Sequence, residues 1–421
     1  MSVQTIPAAA DSGLSRRILG NMSALMVAQI LYRAVSLVLS VVLTRYLGVT
    51  EQGLYGLSLN VIAMFSAFAD LGISTLVIRD MNQDRGTASG LVSTYFGTLL
   101  VANLLLSAAA ILAAFIIGYE TRVIATIALL AIGMLFTGTA SAFHAALIGK
   151  ERMKRVASLE AVVTVVIAAG MLSVIALGGG IISLGIVSAV SGLTRFMIFG
   201  RNARRLFPEL RFVFDAARTR KMLTRGLPFT LNVGLYVILT KIDVLLLESR
   251  VSPESLGLYS AATRLTFPLT MLSMMTATAV FPVLSRTIRE SSDTAFAIVR
   301  RAMRWLGLIG LGIAIVITLT SPSIVLLAYG PAFAPVSDLL RILIWYIPIF
   351  YFYQVVGDLL VAADKVWAVV RVSAAILVVN IVANLLLIPV YGATGSAMTL
   401  VGCEFLRCAG LLVTARRTLS F

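Results

Sequence analysis

The chain has 421 residues, 59% hydrophobic and only 13% charged, with 34 Lys and Arg against 19 Asp and Glu and a mean hydropathy of +0.98. Soluble domains carry about a quarter charged residues, so this composition excludes a soluble globular protein and points to a polytopic membrane protein. The two cysteines, Cys403 and Cys408, share one apolar stretch, and His144 is the single histidine; this excludes a disulfide framework and a Cys/His metal centre, and all three read as packing residues.

A helix crosses the bilayer in about 20 apolar residues. Windows of that length predict twelve spans, at 20–45, 54–78, 88–117, 123–148, 156–177, 181–200, 227–248, 256–284, 305–328, 339–361, 368–389 and 393–414. The first follows Arg16 and Arg17 as a signal peptide would, but no small-residue cleavage site follows it, so it is read as an uncleaved span. Basic residues cluster on alternate connections, at Arg79 and Arg85, in KERMKR (150–155), through 201–226, from Arg286 to Arg304, at Lys365 and at Arg416 and Arg417. The opposite connections hold only Arg122 and Arg250, so the positive-inside rule places both termini in the cytoplasm. The formal charge of +15 is then a topology signal rather than a nucleic-acid footprint. The outside connections, such as GVTEQ, GYET and SRVSPES, are too short for a folded domain. No HExxH, phosphate-binding GxxxxGK[ST] or Ser/His/Asp set is present, so no catalytic residue, cofactor or metal is expected.

The chain repeats itself. VTEQGLYGLSL (49–59) matches VSPESLGLYSA (251–261), with Gly53, Leu54 and Tyr55 answered by Gly257, Leu258 and Tyr259. A second echo sets Gly185 and Gly192 against Gly395 and Gly402. One duplication of six spans predicts an all-α membrane fold of two six-helix lobes, related by a parallel pseudo-two-fold repeat around a central cavity. The lobes are residues 1–200 and 227–421. The basic segment 201–226 is the cytoplasmic linker, either an interfacial helix on the inner leaflet or a solvated tether.

Eight cations remain inside the predicted spans: Arg33, Arg45, Arg195, Lys241, Arg264, Arg341, Arg371 and Arg407. A charge at membrane depth is costly unless it is paired or hydrated. Arg45, Arg195, Arg371 and Arg407 lie near span ends, where they either snorkel to the interface or face the cavity; Arg341 has the same option on the outer side. Arg33, Lys241 and Arg264 are deeper. The embedded acids, Asp70, Glu160, Asp243, Asp358 and Glu404, are fewer than the cations. Lys241 and Asp243, two residues apart, cannot face each other on a regular helix. A hydrated cavity with excess positive charge accommodates these cations and attracts an anion, and guanidinium suits phosphate because it binds bidentately. The alternative is a set of buried ion pairs that fix helix packing. Prolines 228, 268, 282, 348 and 389 mark kinks or span ends.

LTRYLGVTEQGLYG, FADLGISTLVIRD, GLPFTLNVGLYVILTKIDVLLL, SPESLGLYSAATRLTFPL and AVFPVLSR resemble, in combination, the polysaccharide-type (Wzx-like) flippases of the MOP exporter superfamily. The resemblance implies a V-shaped cavity between the lobes. It implies a flippase that translocates undecaprenyl-diphosphate-linked oligosaccharide units from the inner to the outer leaflet of a bacterial plasma membrane. Related lipid II flippases place arginines on the first and eighth spans, where this chain has Arg33 and Arg264; twelve spans rather than fourteen make lipid II a less fitting substrate. The substrate-binding residues are then expected among Arg33, Arg264, Lys241, Arg45, Arg195, Arg371 and Arg407. Asp70, Asp243, Glu160 and Glu404 are the candidates for ion coupling or charge pairing with H⁺ or Na⁺. Membrane lipid, a polysaccharide polymerase and glycosyltransferases are the expected partners. A cation-coupled drug antiporter of the same superfamily, or a scaffold of a polysaccharide-synthesis complex, are the alternative readings.

Overall fold

The structure is a computed structural model that describes residues 38–74, 77–78, 81 and 88–419. The described residues form helices joined by turns and short connections and contain no strand. Helix α1 covers 38–66 and is turned at Gly48, whose φ of +71° only glycine adopts without strain. Residues 67–72 form an unwound turn with Leu71 and Gly72 both at positive φ. Then follow α2 (Ala88–Ile117), α3 (Thr121–Gly149), α4 (Met153–Ala176), α5 (Ile181–Leu206), α6 (Ala216–Glu248), α7 (Pro253–Thr266), α8 (Met271–Glu290), α9 (Ser292–Tyr329), α10 (Val336–Leu343), α11 (Tyr346–Ala362) and α12 (Val366–Leu419).

Local chemistry sets these boundaries. Ser252 and Ser291 accept from the backbone N–H groups of Ser255 and Thr294 at the starts of α7 and α9, and Asp215 caps α6 from Arg218. Gly330, at φ +88°, ends α9. Within α12, Gly392 leaves helical geometry (φ +55°) three residues after Pro389, so this one helix carries two of the predicted spans. The predicted span 256–284 is jointed by a 3-10 turn, Phe267–Thr270, beginning beside Pro268, and Tyr351 satisfies the Leu269 carbonyl there at 2.5 Å. The second span of each half is thus interrupted, one at 67–72 and one at Phe267–Thr270. Pro348 falls in the first turn of α11, where no helical hydrogen bond is lost.

Packing explains how the lobes hold together. In the first lobe α3 and α5 approach through glycine: a Cβ on Gly192 would meet the Gly133 backbone. In the second, the aromatic side chains of Tyr346, Phe350, Tyr351 and Tyr353 fill the space between α9, α11 and α12. Outward faces stay apolar and open, as with Ile116, Leu319 and Leu327, the inversion expected of a protein whose solvent there is lipid.

The segment 201–226 is shared between its neighbours. Residues 201–206 finish α5, 216–226 begin α6, and only 207–215 are irregular. Pro208 and the Asp215 cap confine the helices on either side. The segment lies on α2 so closely that a Cβ at Gly97 would strike the Val213 carbonyl.

Candidate functional site

The duplicated motifs meet. Gly53 of α1 lies on the start of α7, where a Cβ would strike the Pro253 carbonyl, and Gly257 lies on α1, where a Cβ would strike the Val49 carbonyl. One turn on, Gly56 faces the Ser260 side chain. Thr50 donates to Glu254 Oε1 at 3.2 Å. Arg45 adds a further link between lobes: its Nε donates to the Ala328 carbonyl at 2.5 Å and its Nη2 to that of Leu327. These belong to the last turn of α9, whose carbonyls lack helical partners. Hydrogen bonds from backbone N–H at the start of α7, with Ser252 and Thr50, hold the Glu254 carboxyl below the usual carboxylate range. This closure forms a clasp across one end of the molecule.

Beneath the clasp, two turns along α7 from Gly257, Arg264 reaches into a cavity of about 350 Å³ bounded by α1, α3, α4 and α5. Ser40, Tyr55, Met171, Leu184, Val187 and Ser191 are among its walls, and none of its lining residues is a carboxylate. Arg264 Nη1 donates to Ser40 Oγ at 3.3 Å, and the guanidinium lies 5.6 Å from the Tyr55 ring centroid. With the Gln52 carboxamide oriented to satisfy both of its atoms, its oxygen accepts from Arg264 Nη2 and Nε at 3.2 and 3.1 Å. Among the described residues no carboxylate forms an ion pair with Arg264. Its full charge therefore faces neutral dipoles, an arrangement that favours an anionic ligand.

The remaining embedded charges divide clearly. Lys241 Nζ sits 4.8 Å from the Phe267 ring centroid, while Asp243, also on α6, is buried and accepts from the Tyr259 hydroxyl and from Val244 N at 3.0 Å. Arg195 pairs with Glu160 at 2.5 Å, tying α5 to α4, and His144 of α3 stands 3.9 Å from the same carboxylate. Arg407 pairs with Glu404 at 3.6 Å in the core of the second lobe, donates to the Tyr353 hydroxyl at 3.1 Å and stacks over Tyr353 and Tyr236. Arg371 is exposed and donates to the Trp367 carbonyl of its own helix at 3.4 Å, and Arg341 pairs with Asp338. Asp70, at the unwound turn, accepts from Tyr95 at 2.5 Å and from Ser74 Oγ at 2.8 Å; Asp358 accepts from Gln354. Arg33 lies outside the described residues. Among those described, no cluster of three His, Cys, Asp or Glu side chains could hold a metal ion.

The charged residues that sequence reasoning grouped are thus dispersed, and the companions of Arg264 are neutral: Ser40, Gln52 and Tyr55. Tyr55 belongs to the repeated Gly-Leu-Tyr motif, the one sequence signal that could have led to it. Ser40 and Gln52 carry no such mark.

Comparison with known proteins bears on the family and the fold. A family model described as polysaccharide biosynthesis protein matches residues 18–288, and one described as MatE matches residues 228–386. No curated protein matches the chain. Among solved structures, the chain is similar to lipid II flippase MurJ in an inward closed conformation, with 14% identity, 93% of this chain and 87% of that one covered, and a TM-score of 0.77. It is also similar to an inward-facing multidrug resistance MATE family transporter of the MOP superfamily, with 13% identity, coverage of 91% and 94%, and a TM-score of 0.74. A third match is a MOP superfamily transporter from Pyrococcus furiosus, with 16% identity, coverage of 96% and 95%, and a TM-score of 0.69. At these identities the likeness carries the two-lobed fold. Since the first family model spans more than half of its length, the chain belongs to the polysaccharide biosynthesis protein family.

Proposed function

We propose that the protein is a flippase that moves a polyprenyl-diphosphate-linked oligosaccharide from the cytoplasmic to the outer leaflet of the bacterial inner membrane by alternating access. The observation that carries this reading is Arg264, a guanidinium held in a cavity by serine, amide and aromatic groups and by no described carboxylate. Burying an unpaired cation is costly, and a diphosphate offsets that cost with paired, charge-assisted hydrogen bonds. Arg33, which the sequence places on the predicted span 20–45, is carried over from the sequence alone as a second expected cation for this ligand. Lys241, without a described carboxylate in ion-pair range, adds positive potential. The neutralised pairs Arg195–Glu160 and Arg407–Glu404 fit structural roles, Arg45 fits the clasp, and Arg371 fits an interfacial anchor.

By the positive-inside pattern both termini are cytoplasmic, and the clasp closes the outer end. The lipid-linked substrate then enters from the inner leaflet, and opening of the clasp releases it outward. Asp70, at an interrupted helix, is the leading residue for coupling to H⁺ or Na⁺, with Glu160 and Glu404 behind it because each is paired with an arginine and Asp243 behind it because it is fully buried. Polymerase and glycosyltransferases would act on the same glycan before and after transfer.

The MatE match over 228–386 favours one second reading, a cation-coupled drug antiporter. Deleting the gene separates the two. Mass spectrometry of a deletion strain should find a lipid-linked oligosaccharide accumulated on the inner face; drug hypersensitivity with no such accumulation would overturn the flippase reading.

A further inference from the structure

Two arginines inside the predicted spans meet a glutamate, Arg195 with Glu160 and Arg407 with Glu404. Arg264 meets Gln52 instead, and the amide stands where an acid would be expected. Its oxygen accepts from both Nε and Nη2, at 3.1 and 3.2 Å, and so grips one whole edge of the guanidinium. The two residues come from opposite lobes. Gly53, next to Gln52, packs on the start of α7, so the grip is a product of the clasp.

The orientation of the amide is fixed by a second contact. Thr44 donates its one hydroxyl proton to the Ser40 carbonyl at 2.8 Å, so towards the Gln52 amide, 3.4 Å away, it presents lone pairs alone. The amide NH2 therefore turns to Thr44 and the oxygen to Arg264. Gln52 and Thr44 are both fully buried, and Gln52 is not among the cavity walls, whereas Ser40 is. The guanidinium is thus held on its Nε edge by a residue behind the cavity. Through Nη1 it touches Ser40 Oγ, which belongs to the cavity, at 3.3 Å. Tyr55, on the same face of α1 as Gln52, adds its ring at 5.6 Å and no charge.

We propose that Gln52 is the positioning residue of this site: a neutral amide that fixes Arg264 at the cavity wall and leaves its positive charge for an anionic head. That the anion is the diphosphate of a polyprenyl lipid rests on the flippase reading above. A glutamate has the same length and would hold Arg264 at least as firmly, through charge-assisted hydrogen bonds. It would also cancel the charge, and a neutral pair at the wall no longer draws an anion. An apolar side chain of the same size would keep the charge and release the grip. Glutamine alone of the three meets both needs, since its carboxamide offers an acceptor to Arg264 and a donor to Thr44 without a charge of its own. Gln52 acts through Arg264 and does not itself touch the ligand.

The test measures equilibrium binding of undecaprenyl diphosphate to the full chain in lipid nanodiscs, with the thermal melting of each protein, for wild type, Gln52→Glu, Gln52→Met and Arg264→Ala. In Gln52→Glu binding should weaken by about tenfold to a hundredfold, as in Arg264→Ala. Its melting temperature should stay at or above that of wild type, because a buried cation has gained a partner. In Gln52→Met, which removes the acceptor and keeps the charge, binding should weaken by about twofold to tenfold. A purely structural role would instead lower stability and affinity together in Gln52→Glu. Wild-type affinity in Gln52→Glu, or a Gln52→Glu protein that melts below wild type or fails to fold, overturns the positioning role. Wild-type affinity in Gln52→Met overturns it as well. In each of these cases weak binding by Arg264→Ala leaves the flippase reading standing. Wild-type affinity in Arg264→Ala overturns both.

Discussion

Arg264 and Arg407 are both arginines inside predicted spans, yet their surroundings give them opposite expectations. A hydrogen bond to a charged group contributes about 1.5–3 kcal/mol. Replacing Arg264 with alanine should therefore weaken binding of a diphosphate lipid by about tenfold to a hundredfold and stop glycan export at normal protein level, with lysine recovering part of it; export assays against immunoblots check this. Arg407, buried against Glu404 and two tyrosine rings, should show the reverse. Breaking a buried pair costs about 3–5 kcal/mol, so Glu404→Ala should lower the melting temperature in detergent markedly. The double variant Glu404→Leu/Arg407→Met should recover much of it, because no lone charge is left behind. A normal melting temperature for Glu404→Ala would refute the structural role. At this scale the sequence supplied the charges but not their partners: Glu404 and Arg407 are one turn apart and legible as a pair, whereas Arg195 and Glu160 sit on different helices. Ser40 and Gln52 were invisible because neutral hydrogen-bonding side chains have no sequence pattern that distinguishes a ligand shell from ordinary packing.

Among the elements, the clasp between α1 and α7 carries the sharpest prediction. Gly53→Val and Gly257→Val place side chains against backbone carbonyls, so each should prevent closure and abolish export while the separate lobes remain folded. Thr50→Cys with Glu254→Cys, at positions whose side chains touch, should cross-link on oxidation, arrest export and release it on reduction; unchanged export by the cross-linked protein would show that the clasp need not open. The Gly-Leu-Tyr repeat was readable in the sequence, and so was its place between the first two spans of each half. That its two copies bind each other was not, because a duplication reveals equivalence of elements and says nothing of the distance between them. The span windows anticipated the helices well where twenty or more apolar residues run unbroken, as in α2 and α3. They could not register the unwound turn at 67–72 or the joint at Phe267–Thr270, since hydropathy is blind to backbone direction. In the linker, an apolar and a basic face along 208–223 suits a helix, and residues from 216 on are helical, while 207–215 are irregular, with a turn at 208–209 and Val213 against Gly97.

For the whole molecule, composition already specified a many-spanning protein and the duplicated motifs two like halves, and the fold agrees. The division of labour between the halves lay beyond the sequence. The second lobe supplies Arg264 and much of the buried aromatic core, while the first supplies most of the cavity walls. The account depends on that cavity accepting a phosphate head. The most direct measurement is equilibrium binding of a polyprenyl diphosphate to the purified protein in nanodiscs, comparing wild type with Arg264→Ala and Arg264→Lys at two salt concentrations. The account predicts saturable binding that weakens with salt, is about tenfold to a hundredfold weaker in the alanine variant and is partly restored by lysine. Equal affinity in all three proteins would contradict it.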